Sequence, residues 1–473
     1  MFSAHAEFGV FDMAYPMSFH PPKALLLLSI LTFTVGVGLS AAQEAVPANV
    51  PAPIVTEAKA AGAPADANSP ATSPAPLTKA ERVEQAMRAG DYLVRILSPE
   101  GRFVYRVNPL KSNLKPEYNW LRHAGTIYAL CQLYEATEKP VYLQAAQRAA
   151  GDLMLRIQTI TVDGTGYLAL VSDPAITNSK IGDGPTVKTG GCALAIIALA
   201  HLDRLNGNTK HKDAILGLAS YIRFCQRESG NLRSKYMLAS RDYSSWQSLY
   251  YQGEALVALA LAQRAYPRPE DEAVMIKLLS HLAGTWKLSN QLEIAGRNRD
   301  SRTFDHWGML GLHACFDLLT DESLKAHGGN ETPWTKKTLL DIARQYCADE
   351  LKRVMATGPP GKIGSFKGRR GDVNPASIRL EGVQAVKQLL LRVGARYGQE
   401  NIDEIHGWDK AVDRVHRFIL ASQYSDAAAE AWPDQVSVSG AIRRGFDVWK
   451  EGRNAEVRID YCQHAISALL ALY

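Results

Sequence analysis

From Leu77 onward, apolar residues recur at i, i+3, i+4 and i+7, the spacing that gathers them on one face of a helix. The pattern predicts twelve helices, and they pair. Outer-type segments over 80–97, 140–158, 210–228, 271–287, 333–353 and 407–423 carry charge on one face, as in Ala80-Glu-Arg-Val-Glu-Gln-Ala-Met-Arg-Ala-Gly-Asp-Tyr-Leu-Val-Arg. Inner-type segments cover 119–137, 188–206, 249–266, 305–320, 378–398 and 458–473. Several of these are apolar nearly all round, as in Cys192-Ala-Leu-Ala-Ile-Ile-Ala-Leu-Ala, which is what burial on both sides requires.

The inner segments also begin alike. Five of the six openings hold a glycine: Arg122-His-Ala-Gly, Thr189-Gly-Gly, Tyr251-Gln-Gly-Glu, His306-Trp-Gly and Leu380-Glu-Gly; Cys462-Gln-His-Ala closes the set with alanine. Glycine weakens a helix, so its recurrence points to helix ends crowding about an axis. Inner-to-outer joins are mostly short, whereas outer-to-inner joins run to about 20–30 residues, a length that usually signals function. Several of the long joins carry a short strand signal: Gly101-Arg-Phe-Val-Tyr, Gly164-Thr-Gly-Tyr-Leu, Gly230-Asn-Leu and Gly364-Ser-Phe. All the long joins should then emerge on the face where the inner helices begin.

Six such units of about 55–80 residues are longer than the repeats of open solenoids and fit a ring that closes on itself. In this order of outer helix, Gly-hydrophobic turn and inner helix, residues 80–473 resemble the six-hairpin α/α-toroid proteins. That grouping includes terpenoid cyclases, prenyltransferase β subunits, glucuronyl C5-epimerases and several glycoside hydrolases and lyases. The resemblance implies an all-α (α/α)6 toroid with small β-hairpin loops on one face. It implies no particular chemistry.

Composition changes this picture mainly at the N-terminus. Lys23 precedes the apolar run Ala24–Leu39, which ends in Ser40-Ala-Ala before Gln43, so 1–42 reads as a signal peptide, with a retained membrane anchor as the alternative. Residues 43–78 are mostly Ala, Pro, Val, Ser and Thr and read as a disordered linker, leaving 79–473 as the toroid domain. Export to the periplasm or cell exterior follows. The six cysteines stand far apart within apolar helical patterns, so buried thiols are expected rather than a disulfide framework. A net charge of +5 on 101 charged residues offers no basic stripe for nucleic acid.

The candidate chemistry sits where the inner helices start. Asn119, Arg122, His123, Lys188, Tyr250, Tyr251, Glu254, Asp305, His306, Trp307, Arg379, Glu381, Arg458, Asp460 and His464 should share one bowl. Helix N-termini there favour an anionic ligand. Glu254 with Asp305, or Glu381 with Asp460, would give the acid and base of glycoside hydrolysis. A lyase or epimerase would instead use Tyr250 or Tyr251 with His306 or His464, and an arginine to neutralise a uronate. Arg122, Arg379 and Arg458 are the candidate substrate arginines, with Asn119, His123 and Trp307 as further contacts. Each acid also has a plainer reading as a helix cap or as part of a ring of salt bridges.

Asp460-Tyr-Cys462 resembles the zinc-holding pair of prenyltransferase β subunits, with His306, His123 or His464 as a third ligand. A match this short does not assign a metal, and no cofactor is assigned. Asp-x-Asp-Asp, Gly-x-Ser-x-Gly, phosphate-loop and dinucleotide motifs are absent, which argues against isoprenoid cyclisation and those enzyme classes. The sequence therefore predicts an exported carbohydrate-active toroid: a hydrolase, lyase or epimerase acting on a polysaccharide or uronate-containing glycan. The alternative is a non-catalytic envelope protein that binds a glycan or peptide.

Overall fold

A computed structural model of the chain describes residues 75–472 apart from 112–113, 178–183, 295–304, 329–333, 360, 368–370, 400, 431–435 and 447–450. The expected export segment and all but the last four residues of the expected linker lie outside the described residues. No helix among the described residues is long and apolar enough to cross a membrane.

Among the described residues, twelve helices form six hairpins. The outer helices are α1 (Lys79–Arg95), α3 (Pro140–Met154), α5 (Lys212–Phe224), α7 (Pro269–Ile294), α9 (Lys336–Leu351) and α11 (Asp409–Ala421). The inner helices are α2 (Trp120–Thr137), α4 (Thr189–Asn206), α6 (Tyr251–Ala265), α8 (His306–Cys315), α10 (Val373–Val393) and α12 (Ile459–Leu470). Each inner helix packs against the next, and α12 packs back against α2, so the ring closes. Outside it, α3, α5, α7 and α11 lie on the inner helix of the preceding hairpin, and α1 lies on α12. Only α9 breaks this rule among these contacts, packing on α10 of its own hairpin. The chain is an (α/α)6 toroid.

Local chemistry fixes the ends. Thr78 and Glu81 close a reciprocal capping box on α1, and Asn119 caps α2 by accepting from the amides of Leu121 and Arg122. Helix α10 begins five residues before the expected 378, because Pro375 falls in its first turn, where no backbone hydrogen bond is lost. Arg379 and Glu381 therefore lie two turns into the helix rather than at its mouth.

The seven strands among the described residues all fall in outer-to-inner connections. In the loop after α1, β1 (Arg106–Val107) pairs with β7 (Val457–Arg458), which leads into α12 and ties the two ends of the ring together. Strands β2 (Ile157–Val162), β3 (Thr165–Ser172), β4 (Thr186–Lys188), β5 (Lys235–Met237) and β6 (Asp242–Tyr243) form one antiparallel sheet beside the mouth. All six cysteines are buried; Cys192 accepts from the amide of Leu170 in β3 and Cys462 from that of Ile442.

Three of the four glycine signals, at Gly101, Gly230 and Gly364, turn out to be one repeated joint, and Gly164 instead turns the β2–β3 hairpin. Isolated bridges Leu97–Phe103, Gln226–Leu232 and Val354–Phe366 close the turns after α1, α5 and α9. Gly101 and Gly364 sit at φ +91° and +86°, and a Cβ on either would run into the carbonyl of Arg148 or Arg414 on the next outer helix. Gly364→Ala therefore combines left-handed strain with a backbone collision and should cost about 2–4 kcal/mol. The urea midpoint measures it.

Candidate functional site

The recurrent glycines explain how the bowl is built. A Cβ at Gly190 of α4 would strike Glu254 and Tyr251, and one at Gly253 of α6 would strike Asp305. Gly382 leaves room for His306 in the same way, and Gly125 for Gln463. Gly190, Gly253 and Gly125 vacate space that a polar side chain of a neighbouring inner helix occupies, and Gly382 lets the chain at His306 come close. The result is a set of ionisable groups packed about the axis with almost no solvent: Glu381 is 0% exposed, His306 2%, Asp305 4% and Glu254 5%.

At the centre, Oε1 of Glu381 lies 2.8 Å from Nδ1 of His464. The Gln463 amide nitrogen is 3.1 Å from the same Nδ1; a carboxylate can only accept, so an ionised Glu381 would hold the ring proton on Nδ1. In that tautomer the neutral ring has its lone pair on Nε2. The His306 ring stands edge-on to His464 at 5.6 Å and close to Trp307 at 5.2 Å and Tyr250 at 5.9 Å. Both nitrogens of His306 are buried without a hydrogen-bond partner. Burial, with His464 and Arg379 adding to it, holds His306 well below its ordinary range, so it is neutral. Exposed Trp246 stands edge-on to Tyr251, marking the rim above this centre.

The acids divide by environment. Burial pushes Asp305 up to about 8, and the amides of Trp307 and Gly308 lie towards it without closing hydrogen bonds of normal geometry. Glu254 is likewise raised to about 8 by burial and then by Asp305. Burial also raises Glu381, partly offset by His464. Asp460 goes the other way: burial would raise it, but Arg122 at 3.0 Å and Arg458 at 2.6 Å outweigh that and lower it.

Several expected contacts are committed elsewhere. Arg379 turns outward to Glu350 at 2.7 Å, with Phe366 against its guanidinium. His123 bridges Tyr118 Oη at 2.7 Å and the Ala149 carbonyl at 2.9 Å, bracing α2 on α3. Asn119 is a helix cap, and Arg122 also bonds Tyr105, a partner the sequence reading did not name. Asp460 and Cys462 do not come together as a zinc pair, since one is held by arginines and the other by an amide. The structure thus gathers Tyr250, Tyr251, Glu254, Asp305, His306, Trp307, Glu381 and His464 about the axis, and sets Arg122, Arg458 and Asp460 in an ion-pair cluster beside them.

A cavity of about 790 Å³ opens at the opposite end of the ring, lined by Tyr128, His201, Arg264, Leu310 and others, with Trp307 between it and the histidines. Its charges are largely paired, Arg204 with Glu135 and Arg392 with Asp317. Size alone does not make it the reaction site. The uncompensated buried groups lie on the other side of Trp307.

No family model and no curated protein matches the chain. Among solved structures, a D-mannose isomerase matches with a TM-score of 0.54 at 14% identity, over 83% of this chain and 96% of that one. A cellobiose 2-epimerase from Bacillus thermoamylovorans gives 0.52 at 14%, over 82% and 99%. An unsaturated glucuronyl hydrolase specific for heparin gives 0.51 at 13%, over 82% and 96%. At these identities the likeness is one of fold, and the chain shares the six-hairpin α/α toroid of all three.

Proposed function

We propose that this protein is an isomerase or epimerase of a reducing sugar, working by proton abstraction at C2 of the open-chain form. The observation that carries the reading is the Glu381–His464 pair set against a neutral, unpartnered His306. Nε2 of His464 takes the C2 proton, and the N–H of neutral His306 donates to O1 as negative charge builds there. The intermediate is a 1,2-enediolate whose O1 accepts from His306 while His464 carries the abstracted proton. Returning that proton to the other face of C2, once the enediolate has turned about C2–C3, gives the epimer; returning it to C1 while the O2 proton passes to O1 gives the ketose. Two of the similar folds are named as a mannose isomerase and a cellobiose 2-epimerase.

The rival readings lack a part. Glycoside hydrolysis needs one protonated and one ionised carboxyl group. Glu254 and Asp305 are both raised to about 8, so near neutrality they supply two acids and no base. Asp460 is ionised but held by two arginines. A uronate lyase or epimerase needs an arginine for the carboxylate, and Arg122, Arg458 and Arg379 already have acidic partners. A neutral sugar suits the bowl better than a uronate. The apolar run Ala24–Leu39 and its small-residue end favour sugars met outside the cytoplasm.

The test is solvent exchange. Reducing hexoses and disaccharides incubated with the protein in deuterium oxide should lose the C2–H resonance in proton NMR, and His464→Ala should not support that loss. Exchange with no sugar, together with glycosidic cleavage that depends on Glu254, would replace this reading by a hydrolase.

A further inference from the structure

Three carboxyls near the axis, Glu254, Asp305 and Glu381, have no lysine or arginine within ion-pair distance among the described residues. Oε2 of Glu381 and both nitrogens of His306 are buried without a partner. Leaving such groups unsatisfied costs about 1–3 kcal/mol each, so something that is not protein has a reason to be there. A single cation would meet Glu381 and one nitrogen of His306. One ligand atom from each of His306, Glu381 and His464 lies within 4.8 Å of the others.

We propose that His306, Glu381 and His464 form a binding site for one divalent transition ion of borderline softness, with zinc as the type, and that its occupancy excludes sugar turnover. Two imidazoles and one carboxylate make a donor set that suits zinc, cobalt or nickel, whereas magnesium and calcium prefer oxygen alone. In a tetrahedral site with bonds of about 2.0–2.1 Å, neighbouring donors stand about 3.3 Å apart. Glu381 and His464, at 2.8 Å, are already that close. His306 has to draw in by about 1–1.5 Å on this geometry. Its ring breaks no hydrogen bond in doing so.

The exclusion rests on the proton-transfer reading above: an ion on Nδ1 of His464 leaves the ring proton on Nε2, so the lone pair that would take the C–H proton is gone. The ion-binding claim does not rest on it. That difference lets the two fail separately.

The purified full chain, stripped with a chelator, is titrated with zinc by calorimetry and with cobalt by visible absorption. The expected result is one ion per chain at micromolar or tighter affinity, with an upward shift in Tm. Glu381→Gln and His306→Ala should each weaken binding at least about tenfold. His406→Ala, on the surface at 59% side-chain exposure, should bind as wild type does. Circular dichroism confirms that the variants fold. Absence of saturable binding, or wild-type affinity in both Glu381→Gln and His306→Ala, would overturn the site. C2–H exchange should fall in step with occupancy and return on adding chelator. Exchange that rises with occupancy would overturn the exclusion. No exchange in the metal-free protein, with binding intact, would sink the proton-transfer reading and leave the site standing.

Discussion

Glu381→Gln is expected to slow C2–H exchange about 10³–10⁴-fold with little change in KM, the scale seen when a histidine base is left in the wrong tautomer. The carboxylate can only accept, so it keeps the proton on Nδ1 of His464, 2.8 Å away, and leaves Nε2 free. A glutamine can turn its NH₂ toward Nδ1. The proton then moves to Nε2, and the base becomes a donor aimed at the sugar. Loss of fold does not account for such a drop, because the change removes a carboxyl that burial already disfavours in its charged form. Steady-state rates beside thermal melts of both proteins decide the matter. Comparable melts with comparable rates would remove Glu381 from the mechanism.

The architecture was open to sequence reading because it repeats. Six apolar stripes alternate with six charged ones, and the glycine near the inner starts marks the crowding that Gly190 and Gly253 show in space. Side-chain direction was harder to read. Arg379 and Glu381 stand two apart, which on a helix places them about 200° from one another, so they cannot share a face. One faces His464 and the other Glu350 on α9. His123 turns away from Arg122 for the same reason, by about 100°, and braces the outer layer. The partners that decide these directions, Glu350 and Tyr105, lie 29 and 17 residues away in the chain, with no local pattern that ties them to the arginines. Asp460 and His464, four apart, do share a face, and the sequence does suggest that. It does not show that Arg122 and Arg458 converge on Asp460, because Arg122 arrives only when the ring closes α2 onto α12.

Stability should fall as pH rises from about 6.5 to 8, and the cause should be traceable to two residues. Glu254 and Asp305 are both raised to about 8 by burial, Glu254 also by Asp305, so the folded chain holds protons that the unfolded chain releases near pH 4. Where the folded state binds more protons, raising pH favours unfolding, and the loss continues until the folded groups themselves ionise near 8. Over the upper part of that window each group accounts for on the order of 2 kcal/mol. Histidines act on the other limb. His123, His313 and His416 are held near 4 mainly by burial, so stability is lost as pH falls from about 6.5 towards 4, where only the unfolded chain takes up their protons. Urea unfolding at pH 6.5, 7 and 8 should therefore show a declining wild type and a flatter Glu254→Gln/Asp305→Asn double variant that is the more stable of the two at pH 8. Parallel, flat profiles would mean that both carboxyls are already ionised in the fold. Glu254 and Asp305 would then regain the base that hydrolysis needs, and the argument for proton transfer at C2 would lose its main advantage over that rival.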